Sequence, residues 1–154
     1  MGSLFWFNVF TRWLHLTSAV VGVGALIFWR LVLIPAEQTR DAPGRQKLMG
    51  DILPPFRRIV HSALGLLLLT GGYNFWVAIP KVGALTYRAL YHSIIGTKIL
   101  LVLVLFGMVT SVLSSSPASG NMQEGRRRWV TLIIILALVI LFLSAILRRL
   151  WDYQ

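Results

Sequence analysis

The stretch Trp129-Val130-Thr131-Leu132-Ile133-Ile134-Ile135-Leu136-Ala137-Leu138-Val139-Ile140-Leu141-Phe142-Leu143-Ser144-Ala145-Ile146-Leu147 runs without a charge between Arg126-Arg127-Arg128 and Arg148-Arg149. A helix rises about 1.5 Å per residue, so this stretch nearly crosses the ~30 Å hydrocarbon layer of a bilayer. Its length and basic flanks read as a transmembrane helix with headgroup anchors, placed at about 129–149. Three runs of the same kind precede it, from about Val9 to Ile34, Phe56 to Ile79 and Arg88 to Leu113. Pro35 ends the first by withholding a backbone donor, Pro54-Pro55 suits the start of the second, and Ser114-Ser115-Ser116-Pro117 closes the third. Continuous apolar runs do not fit the alternating strands of a β-barrel. The expectation is an all-α integral membrane protein, a four-helix up-down bundle forming one domain over residues 1–154, with both termini on the same side.

Composition agrees. Of 154 residues, 56% are hydrophobic and 13% charged, against about a quarter charged in soluble domains, and mean hydropathy is +0.74. At about 20 residues per span, four spans are the ceiling. The net charge of +10 does not point to nucleic acid, because most basic residues lie at the ends of apolar runs. The absence of cysteine excludes disulfides, thiolate metal sites, iron–sulfur ligation, covalent haem attachment and cysteine nucleophiles. There is no phosphate loop, nucleophile elbow or metalloprotease motif, and only Asp51 among the acids lies near a helix start. Any chemistry must therefore borrow a cofactor. The first run has no basic leader and no small-residue cleavage site, so it reads as a retained helix. On the side opposite the termini lie Arg40, Arg45, Lys47, Arg57, Arg58, Arg126, Arg127 and Arg128; Arg12, Lys81, Arg88, Arg148 and Arg149 share the side of the termini. That excess favours a cytoplasmic location for the opposite side and places both termini outside. Leu4-Phe5-Trp6-Phe7, Trp151 and Tyr153 fit an interfacial aromatic belt.

All three histidines lie within apolar runs, where ionisable side chains are costly and normally face a partner. Two occupy a repeat: Phe56-Arg57-Arg58-Ile59-Val60-His61-Ser62-Ala63-Leu64-Gly65 matches Tyr87-Arg88-Ala89-Leu90-Tyr91-His92-Ser93-Ile94-Ile95-Gly96, and Arg12, His15, Ser18 and Gly22 form a looser copy. Histidine and the glycine four or seven residues later share a helix face, so a planar ligand could meet the imidazole where no side chain intervenes. The preceding arginine lies one turn nearer the surface, within reach of a carboxylate. Haem b, with two propionates, has that shape. Glycine at a helix contact also permits close packing, and arginine at a helix end also anchors. Depth along the helices pairs His15 with His92 as axial ligands, with Arg12 and Arg88 for the propionates. His61, with Arg57 and Gly65, falls near the other surface, at the depth of Met108, where a second haem or a copper ion is conceivable. Lys98, about two turns beyond His92, faces a polar cavity, a cofactor carboxylate or another subunit. Arg30 is near enough to the surface to snorkel.

Arg12-Trp13-Leu14-His15-Leu16, Gly22-Val23-Gly24-Ala25-Leu26-Ile27-Phe28 and Gly96-Thr97-Lys98-Ile99-Leu100-Leu101-Val102 resemble a group of small bacterial membrane proteins. These are the copper-resistance protein D domain and the HemJ-type protoporphyrinogen oxidases. The resemblance covers the first three helices. It implies functional roles for His15 and Lys98, as a first-helix histidine and a third-helix lysine. In HemJ-type proteins a histidine stands two residues before that lysine, where this chain has Gly96. The copper-resistance relatives imply copper handling, although this chain has no methionine- or histidine-rich entry segment.

The functional expectation is a haem b-binding membrane cytochrome moving electrons between a quinol pool and a redox partner. His15 and His92 are its ligands, Arg12 and Arg88 its propionate partners, Gly22 and Gly96 its clearances and Lys98 its supporting or catalytic residue. The alternatives are a HemJ-like oxidase, a copper-handling protein and a non-catalytic subunit of a larger complex or homo-oligomer.

Overall fold

The computed structural model describes residues 2–82, 88–114 and 121–152, and side-chain surroundings for 2–79, 89–114 and 125–149. The Ser115-Ser116-Pro117 part of the expected loop, Tyr87, and the side chains of Lys81, Arg88, Trp151 and Tyr153 lie outside that description. The described residues are helical almost throughout. Helix α1 is Ser3–Phe28, continued by a π-helical turn, Trp29–Leu33, and by α2, Ile34–Gln38; α3 is Ala42–Val82, α4 Arg88–Ser114 and α5 Asn121–Asp152. Among the described residues, four segments are long and apolar enough to cross a membrane: Ser3–Gln38, Ala42–Ile79, Ala89–Ser114 and Gly125–Arg149.

Three sequence expectations about boundaries are corrected. Pro35 does not end the first span. It sits in the first turn of α2, and the π-helical turn before it widens the helix, the Ile34 N–H reaching back to Trp29 O. The wider turn relieves the clash a proline ring makes with the carbonyl four residues earlier. Pro54-Pro55 does not start the second helix. Asp41 does: its carboxylate accepts from Gly44 N–H at 3.2 Å and its carbonyl from Arg45 N–H at 2.9 Å. The helix then passes through both prolines; Gly50 and Asp51, whose carbonyls lose their partners there, are exposed. The last helix starts at Asn121, before Arg126, rather than at Trp129.

The helices pack as two close pairs, α1 with α3 and α4 with α5. One apolar cluster joins all four spans: Leu26, Trp29 and Leu33 from the first, Phe56, Val60 and Leu64, then Leu105, Val109 and Leu113, then Val130, Ile133 and Ala137. A smaller cluster sets Tyr91 against Leu147. Most other large apolar side chains are exposed, including Phe5, Trp6, Leu69, Trp76, Leu100 and Phe142, as lipid-facing residues of spanning helices are. The cluster Leu4 to Phe7 is exposed as well.

Polar contacts tie the helix ends. Glu37 is buried and pairs with Arg126 at 3.3 Å, while Arg45 Nε donates to the Glu37 carbonyl at 3.3 Å. Arg30 Nε donates to Thr131 Oγ1 at 2.9 Å, across to α5. Tyr73 donates to Asn8 Oδ1 at 2.8 Å.

Candidate functional site

Each spanning helix presents an inward stripe at three- and four-residue spacing. In the first span the stripe is Thr11, His15, Ser18, Gly22, Leu26, Trp29 and Leu33, all buried except the half-buried His15. It lies on α3: a Cβ added to Gly22 would meet Ala63 Cβ at 3.9 Å and Leu67 Cδ1 at 4.0 Å. Gly22 thus lies at a helix–helix contact with ordinary van der Waals spacing.

One stripe position nearer the N-terminus than Ser18, the same face brings His15 to Thr70. His15 Nδ1 lies 2.9 Å from Thr70 Oγ1, and the buried Thr70 hydroxyl donates to the Leu66 carbonyl of its own helix. A Cβ on Gly71 would stand 3.2 Å from His15 Cε1, so the imidazole is seated against bare backbone. The Leu67 carbonyl also lies beside the ring, and Lys98 is within electrostatic range of it. Lys98 is half-buried on the inward stripe of α4, seven residues from both Tyr91 and Leu105. Two helices thus bring together an imidazole, a hydroxyl and an open strip of backbone, with the Lys98 side chain of a third within electrostatic range.

The structure leaves other expected residues apart. His92 is exposed, its ring edge-on to Tyr91 at 6.3 Å, and among the described residues no hydrogen bond or ring contact joins it to His15. Six residues separate it from Lys98, which sets the two about 120° apart around the helix, on different faces of α4. His61 is half-buried and its Nδ1 lies 2.8 Å from Arg57 O, one turn back on its own helix. Arg57 donates to the Leu113 carbonyl, satisfying the C-terminal end of α4. Met108 is partly buried against the apolar cluster. Arg12 is exposed. Cβ atoms on Gly65 and Gly96 would meet nothing within 4 Å. No group of three His, Cys, Asp or Glu side chains converges among the described residues.

Thr70 and Gly71 were missed by sequence reasoning. The available signal was the polar, side-chain-poor run Thr70-Gly71-Gly72 inside an apolar helix. Comparison with protein-family models, curated proteins and solved structures finds no match.

Proposed function

We propose that this chain is a haem b-binding membrane oxidoreductase that passes electrons between a quinol pool and a redox partner. The observation that carries the reading is the contact of His15 with Thr70 and Gly71 between two apolar helices, with Lys98 of a third within electrostatic range. These residues suit the group. His15 commits one ring nitrogen to Thr70 and keeps the other for iron. Gly71 leaves the backbone bare where a side chain would crowd the ring, and the Lys98 amine, when protonated, would pair with a propionate. Bound haem supplies the one-electron redox chemistry that the side chains lack. His15 would hold the iron, and Thr70 would orient the imidazole. His92, on another face of α4, is left out of this site. Haem needs only one or two protein ligands, so the site does not depend on a larger cluster of metal-binding side chains.

An up-down course with both termini outside a bacterial inner membrane belongs to the same proposal. It is supported by the basic excess on the opposite side and by the bonds Arg57–Leu113, Arg30–Thr131 and Tyr73–Asn8, which join ends expected at the same surface.

A second reading, porphyrinogen oxidation of the HemJ type, is favoured by the proximity of His15 and Lys98, the two residues that the resemblance carries over. A reduced-minus-oxidised spectrum of protein from haem-replete cells tests both. Soret and α bands are expected, lost on His15→Ala and retained on His92→Ala. Their absence from the wild type would end the haem reading, and a porphyrinogen oxidation assay separates enzyme from carrier.

A further inference from the structure

Thr70 Oγ1 stands between two groups that make different demands on it. It is in close hydrogen-bonding contact with Leu66 O and lies 2.9 Å from His15 Nδ1. A carbonyl oxygen offers only lone pairs, so two oxygens in that contact need a proton between them, and the threonine hydroxyl is its source. A hydroxyl has one proton. With it directed at Leu66 O, Oγ1 meets the imidazole as an acceptor, and Nδ1 must carry the hydrogen. A neutral imidazole has one N–H, so Nε2 keeps a bare lone pair. Gly71 holds this geometry, because a Cβ there would come within 3.2 Å of Cε1 and 3.7 Å of Nδ1 and push the ring off Thr70.

We infer that Thr70 is the positioning residue of this site: it locks His15 in the Nδ1–H tautomer and so makes Nε2 the atom that binds iron or accepts a proton. Histidine in water favours the opposite tautomer, so the lock reverses the intrinsic preference of the ring. What Nε2 ligates rests on the haem reading above, whereas the tautomer does not. His61 supplies an internal reference. Its Nδ1 lies 2.8 Å from Arg57 O, a pure acceptor that calls for the same tautomer without any help from Thr70.

The test is a long-range proton–nitrogen correlation spectrum of the full-length, haem-free chain in detergent, labelled at the histidine nitrogens, with His15→Gln assigning the signal. In the wild type His15 is expected to show hydrogen on Nδ1 and none on Nε2, and Thr70→Ser should keep that pattern. Thr70→Val keeps the shape but removes the hydroxyl acceptor, leaving only the Leu67 carbonyl beside the ring; an Nε2–H signal absent from the wild type should appear for His15 while His61 stays unchanged. Hydrogen on Nε2 of wild-type His15 overturns the inference, as does a Thr70→Val spectrum identical to the wild type. Should Thr70→Val fail to fold, the wild-type and Thr70→Ser spectra still decide. A wild-type His15 carrying Nδ1–H in a protein that shows no Soret band upholds the lock and removes the haem.

Discussion

Lys98 lies half-buried on the inward stripe of an apolar helix, and a charged lysine at the centre of a spanning helix costs roughly 2.5–3.5 kcal/mol by insertion scales. Replacing it should therefore leave the haem-free protein as stable as before or more so. If Lys98 holds a propionate, Lys98→Met should weaken haem retention about tenfold, the equivalent of about 1.4 kcal/mol, while Lys98→Arg keeps most of it. Haem titration of the apoprotein, run beside thermal unfolding, separates the two effects. Gly71→Ala belongs with it. The added methyl displaces the His15 ring, so haem content should fall several-fold with helix content unchanged by circular dichroism. His15 was recognised from sequence because an intramembrane histidine is conspicuous. Its expected pairing with His92 rests on depth along a helix alone, whereas direction around the helix also decides which side chains face each other. His92 matches His15 in depth, but Lys98 occupies the stripe Tyr91, Lys98, Leu105 that α4 turns inward.

Among the elements, the join between the first and last spans depends on Glu37 and Arg126. The Glu37 side chain is 3% exposed and that of Arg126 9%. Removing one member of such a pair leaves a buried charge and costs about 3 kcal/mol; removing both costs far less. Arg126→Met should therefore lower the thermal midpoint sharply, and Glu37→Gln combined with Arg126→Met should recover much of the loss. Equal destabilisation by the single and double variants would show that the pair does not bind the spans. The same region explains why helix boundaries were partly illegible. Prolines signal breaks in an isolated helix, yet a π-helical turn before Pro35 and exposed carbonyls before Pro54-Pro55 let both helices continue. The true start of α3 was legible in Asp41 and Pro43, a capping carboxylate followed by a proline in the first turn.

For the whole molecule, the chain's lack of cysteine makes orientation measurable without background. A single cysteine at Ser3 should react with a membrane-impermeant maleimide on intact cells, and one at Lys47 only after the membrane is opened; the reverse pattern inverts the proposed topology. Both positions are exposed. The number of spans and their placement in the chain were determined by the sequence itself, because the cost of burying backbone and charge in hydrocarbon is local and adds up along each run of about 20 residues. Which polar residues meet was decided only by the tertiary structure. Contact depends on how each helix is rotated against its neighbours, and that rotation follows from packing across the interior. Glycine 22 lies against Ala63 and Leu67, and four apolar stripes close on one cluster. That packing turns His15, Thr70 and Lys98 inward and leaves His92 on the outside.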